Sequence, residues 1–147
     1  DGLPLLARLG FLMALGPFFW QSAITKIDGV GLSAGAYAQI LPRLAERVGY
    51  DPQAMPLWAH GVVAAGTLAE FVLPALIALG LATRLAALGM TGFIVVMTLT
   101  DIFGHGAAVW ATVQPRLLWL VSLAVLFALG GGRWSADGIW PQHRSVI

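Results

Sequence analysis

Four uninterrupted apolar stretches dominate this chain, each long enough to cross a bilayer. Roughly 30 Å of hydrocarbon requires about 20 mainly apolar residues in a helix. The first stretch runs from about Leu3 to Ile24, the second from about Leu57 to Ala82, the third from about Leu85 to Phe103, and the fourth from about Pro115 to Gly130. The runs are continuous rather than alternating, which argues against strands, and only helices or closed barrels satisfy their backbone in lipid. Of the 147 residues, 59% are hydrophobic and only 10% are charged. A soluble domain usually carries about a quarter charged residues to coat its surface. The expectation is an all-α membrane protein, a four-transmembrane-helix bundle forming a single domain over residues 1–147 and facing the lipid bilayer.

The same composition excludes several functions. A formal charge of +1 with no basic run gives no electrostatic case for nucleic acid. The absence of cysteine rules out disulfides, thiolate metal sites and iron–sulfur clusters within this chain. The apolar stretch behind Asp1 runs too long for a signal-peptide core and lacks a small-residue cleavage site, so it reads as a mature span.

One long connection, Asp28 to Pro56, separates the first two spans and carries Arg43, Glu46, Arg47 and Asp51. Its middle, Ala36 to Val48, reads as a short amphipathic helix at the membrane interface. The sequence GLATRL is a tight reversal that makes the second and third spans an antiparallel hairpin. Four spans put both termini on one side. Arg8, Arg84, Arg133 and Arg144 flank one face, and Lys26, Arg43, Arg47 and Arg116 the other, so charge alone does not orient the chain.

Ionisable residues inside a span are expensive and are functional candidates by default. Arg8, Leu12, Leu15, Phe19, Ser22 and Lys26 recur at helical period along one face of the first span. His60, Val63, Thr67, Glu70 and Pro74 do the same on the second. Measured from the terminal side, Arg8 and Glu70 lie at depths a long arginine spans, which predicts a buried Arg8–Glu70 ion pair. Such a pair either fixes helix register or belongs to a proton or ligand path. Arg84 at the hairpin tip reads as an interface anchor, with a second partnership to Glu70 as the alternative.

A second polar group gathers at the opposite end. Lys26, His60, Asp101 and His105 fall near one interface, beside Arg116, which reads as an interface anchor at the start of the fourth span, and near Trp20, Trp58 and Trp110. The spacing of Met97, Asp101 and His105 admits a copper or zinc site, but Met97 reads better as filler and the other two as helix-end caps, so no metal is expected. A polar mouth over an apolar cavity fits better, with His60, Asp101 or His105 exchanging protons with a ligand headgroup. Haem is not expected: His143 lies in the tail, and His60 and His105 sit at the water interface rather than facing each other within the bundle. No glycine-rich nucleotide fingerprint follows a strand.

The segments LARLGFLMALGPFFWQSAITKI, GTLAEFVLPALIALGLATRLAAL and LFALGGGRWSADG resemble, in order and spacing, the DoxX family of small four-helix membrane proteins. In that pattern Arg8 and Lys26 match an early arginine and a closing lysine of the first helix, and Glu70 matches a glutamate of the second. Gly80, Leu81, Thr83 and Arg84 match its turn, and Gly131, Arg133, Trp134, Ser135 and Asp137 match its tail. The resemblance implies a bacterial inner-membrane protein with both termini cytoplasmic. It also implies a link to respiratory quinones, since the family's namesake belongs to a thiosulfate:quinone oxidoreductase. The expected function is a quinone-linked or lipophile-binding subunit acting with a redox partner, with no redox cofactor of its own. A non-catalytic anchor or assembly factor is the alternative, and a metal-handling or transport accessory protein a further one.

Overall fold

The computed structural model describes residues 2–139; His143 and Arg144 lie outside the described residues. Four long helices, α1 (Leu3–Thr25), α4 (Leu57–Leu79), α5 (Thr83–Leu99) and α6 (Val109–Leu129), are each long and apolar enough to span a membrane. α1 packs on α4 and α6, and α5 packs on the same two helices from the other side, closing a ring. The inward faces meet in a core of Phe11, Leu15, Phe19, Ile77, Met90, Ile94, Leu123 and Leu126. The outward faces carry exposed Leu6, Met13, Leu68, Leu88, Val96 and Leu118. A molecule whose outer wall is apolar all round is solvated by lipid. This is a multi-pass membrane protein.

The long connection is more structured than its proline content suggests. A two-residue hairpin pairs Ile27–Asp28 (β1) with Gly31–Leu32 (β2), and two short helices follow, α2 (Ala34–Ile40) and α3 (Pro42–Arg47). The expected single helix over Ala36–Val48 is broken at Leu41, because Pro42 has no N–H to continue α2 and instead starts α3. Ser33 caps α2 by accepting the Ala36 N–H. Ala36, Tyr37 and Ala45 bury against Met55, Ala59 and Val63, so this segment is clamped onto the first turns of α4.

The fourth helix begins at Val109, not near Pro115. Proline favours a first helical turn, and the sequence offered it as the start. Here Pro115 lies inside α6, and Arg116 is carried into the bundle rather than left at its rim. α5 runs on past Leu99 into a wider π turn, Thr100–Gly104, closed by the His105 N–H donating to the Thr100 carbonyl at 3.1 Å. Two polar ends result: a loop end holding α2 and α3, and a terminal end where the start of α1 meets the α4–α5 turn and the segment after α6. At the terminal end α7 (Ala136–Ile139) closes the described chain.

Candidate functional site

Lys26 closes α1, and its Nζ donates to Glu70 Oε2 at 2.9 Å and to Ser22 Oγ at 2.6 Å. Both charged side chains are almost fully enclosed, 2% and 4% exposed. This corrects the expected Arg8–Glu70 pair, and the reason is side-chain direction. Helical side chains lean toward the N-terminus of their own helix. α1 and α4 are antiparallel, so Lys26 leans down into the bundle while Glu70 leans up toward the loop end, and the two meet. Arg8 leans the other way, toward the terminal end, however close its depth to that of Glu70.

The π turn places a second ion pair nearby. Asp101 Oδ2 accepts from Arg116 Nη2, and the arginine side chain is 13% exposed. Arg116, expected as an interface anchor, is therefore held within the bundle by a carboxylate. A π turn adds a residue to the helical register and re-aims the side chains around it, which is why such turns recur at functional sites. His105, just after it, is exposed and lies 3.3 Å from the Gln39 carbonyl through Nε2. Gly104 lets α3 come close, because a Cβ there would sit 2.6 Å from Pro42 Cγ.

Lys26, Glu70, Asp101, His105 and Arg116 line one cavity of about 240 Å³. Gln39 and Ile40 of α2 lie over it, and Phe18, Phe93 and Met97 supply apolar wall. Phe18 packs at a tilt against Trp119 at 5.3 Å between centroids, and Phe19 meets Phe93 edge-on at 5.9 Å, so the wall continues into an aromatic cluster. Phe18 is 45% exposed, which opens the cavity wall toward lipid. Three of the four residues expected at the mouth are thus brought together; His60 is not among the lining residues. Its Nδ1 instead makes a 2.5 Å hydrogen bond with the Tyr37 hydroxyl, pinning α2 to α4. Burial pushes the Tyr37 phenol up, so it stays protonated.

At the terminal end Arg8 is 5% exposed and serves as a backbone clamp. Nε donates to the Ile77 carbonyl at 3.0 Å, Nη2 to Ala78 at 2.5 Å, and Nη1 to Trp134 at 2.7 Å and Gly131 at 3.3 Å. The Gly80 N–H already reaches the Ile77 carbonyl at the end of α4, and the guanidinium adds donors there and complements the helix dipole. Gly80, at φ +66°, makes the turn and leaves room for the clamp: a Cβ would fall 2.3 Å from Ser135 Cβ. Arg84 is exposed and donates to the Ala128 carbonyl at 3.3 Å, so Glu70 is not its partner. Asp137, from the segment after α6, accepts from the Ala82 N–H and from the N–H and hydroxyl of Thr83.

Sequence reasoning missed Tyr37, Gln39 and the Asp101–Arg116 pair. Tyr37 and Gln39 carry no signal in a loop that gives no register. The ion pair was concealed by starting the fourth helix at Pro115, which put Arg116 at the rim.

The fold and these two polar ends define a small four-helix integral membrane protein with a charged, partly enclosed cavity beneath one interface. The sequence profile of the DoxX family matches residues 3–106, and the chain belongs to that family. The matched part includes Arg8, Lys26, Glu70 and Asp101 and stops before α6. Searches of curated proteins and of solved structures returned no match.

Proposed function

We propose that this DoxX-family protein is a lipophile-binding subunit of a bacterial inner-membrane redox system, taking a quinone-class headgroup into the loop-end cavity. The observation that carries this reading is the enclosed Lys26–Glu70 pair opening onto a space walled by Phe18, Phe93 and Met97. A quinone ring needs apolar walls, a hydrogen-bond donor and a titratable group near its oxygens. Sites that engulf whole drug-sized ligands measure roughly 300–1,000 Å³. At about 240 Å³ this cavity suits a ring alone, with the tail left in lipid beside Phe18. When bound, a quinone supplies the electron-accepting chemistry. The chain's own part is to orient the ring, exclude water through α2 and pass protons by way of His105 at the rim, while a partner protein delivers electrons. Both termini lie in the cytoplasm in this reading, with the loop end periplasmic.

Purification in mild detergent followed by mass spectrometry of co-purifying lipids and quinones tests it. Enrichment of quinone over the bulk membrane, lost in Glu70→Gln, is the expected result. Quinone present only in proportion to carried-over lipid would sink the reading. A membrane anchor that recruits a partner is the second reading, favoured by exposed Trp134 and Ile139, at 72% and 82%, beside Leu81 at the terminal end.

A further inference from the structure

Among the described residues, one buried side-chain nitrogen or oxygen has no hydrogen-bond partner: Nη1 of Arg116. Every other charge around the cavity is matched. Lys26 has Glu70 and Ser22, and Asp101 has the other amino group of Arg116. A guanidinium carries five N–H donors and cannot shed its charge, so a buried amino group without an acceptor is a standing demand for one. Arg116 is also among the residues lining the cavity. Asp101 grips Nη2, which leaves the donors of Nη1 uncommitted on the same guanidinium.

We infer that Arg116 is the headgroup donor of this cavity, and that its ligand is an uncharged ring bearing a carbonyl oxygen. This rests on the reading of the cavity as a lipophile site and narrows its ligand class. Charge decides against an anionic headgroup. Lys26 and Arg116 are balanced by Glu70 and Asp101, so these two ion pairs leave no net positive charge for a phosphate. A neutral carbonyl takes the N–H bond and needs no counter-charge, and Phe18 and Phe93 are placed to contact a flat ring. Asp101 then acts as a positioning residue, holding the guanidinium at the cavity wall.

The experiment measures binding of three probes to the purified protein in detergent by quenching of tryptophan fluorescence. Menadione carries two ring carbonyls, methylnaphthalene has the same ring system without them, and dodecyl phosphate brings an anionic head. Menadione should bind the wild type at least about tenfold more tightly than methylnaphthalene, the discrimination worth one good hydrogen bond to a charged donor. In the double variant Asp101→Asn with Arg116→Met, which strands no charge, that ratio should fall to near one while methylnaphthalene binding persists. Equal binding of the two aromatic probes by the wild type, or an unchanged ratio in the double variant, overturns the role of Arg116 and leaves the lipophile site standing. Dodecyl phosphate outcompeting menadione overturns the uncharged ligand class. No binding of either aromatic probe removes the lipophile reading itself. Should the double variant not fold, Arg116→Lys, which keeps the charge for Asp101 but lacks the second amino group, takes its place, and an unchanged ratio there overturns the role of Arg116 in the same way.

Discussion

Asp137 and Thr83 are joined twice: one carboxylate oxygen of Asp137 accepts both the backbone N–H and the hydroxyl of Thr83, each at 2.8 Å. Its other oxygen takes the Ala82 N–H at 2.6 Å. Helix α5 begins without a capping side chain of its own, at Ala82 in a left-handed conformation. The cap arrives from the segment beyond α6. Burial alone pushes the Asp137 carboxyl up, but the bonds from Thr83 and Ala82, with the charge of Arg8, hold it below the usual carboxylate range.

That shift has a definite sign. A carboxyl depressed in the folded state contributes stability above its unfolded value, and the contribution disappears as pH falls through the lower folded value. The Asp137 contribution should thus be complete above about pH 5 and fade below about pH 4. Asp137→Asn should lose about 1 kcal/mol at neutral pH, the scale of a negative charge lost from a helix N-terminus. Melting in detergent across this range checks it, and variant and wild type should converge in acid. A constant gap down to the lowest pH would show that the cap is not electrostatic.

Lys26 and Glu70 should behave as one unit. Removing either partner leaves a charge in low dielectric and typically costs about 3–5 kcal/mol, whereas removing both costs less. Lys26→Met, Glu70→Gln and the double variant form the cycle, read by thermal stability in detergent. Simple addition of the two losses would mean the contact contributes nothing.

Gly80→Ala should loosen the terminal end. The new methyl meets Ser135 Cβ at 2.3 Å and Arg8 Cζ at 2.8 Å, at a φ alanine rarely adopts. Either the tail or the guanidinium must move, a loss of roughly 2 kcal/mol or more. Proteolysis after Arg133 should accelerate in the variant. Unchanged cleavage and melting would argue that the latch is not under load.

Orientation is open to a direct test. Val30, in the loop-end hairpin, and Arg133, at the terminal end, are both exposed. Single cysteines there, in a chain that has none, should label from opposite sides of the membrane, with position 30 reached first in intact cells. Labelling from the same side would eliminate the four-span arrangement.

The helices and the inward faces of α1 and α4 were legible because hydrocarbon thickness and helical period leave few alternatives. Leu15, Phe19, Val63, Thr67 and Glu70 are all buried as their spacing requires. What the pattern could not supply was the lean of long side chains. Arg8 and Glu70 lie on facing stripes yet reach in opposite directions, and only antiparallel placement with Cβ direction decides that. The loop-end cavity was half legible. Lys26, Asp101 and His105 were placed by their positions at helix ends, but the α2 contribution needed a tertiary fold that Pro42 and Gly104 permit without announcing.

Arg8 has four backbone acceptors from two places in the chain, and this imposes an order on assembly. The carbonyls of Ile77 and Ala78 are available once the α4–α5 hairpin exists, but those of Gly131 and Trp134 lie 123 and 126 residues beyond Arg8. During synthesis the guanidinium stays half-satisfied until the segment after α6 has been made. A chain cut short after α6 would leave that buried cation with two of its four acceptors.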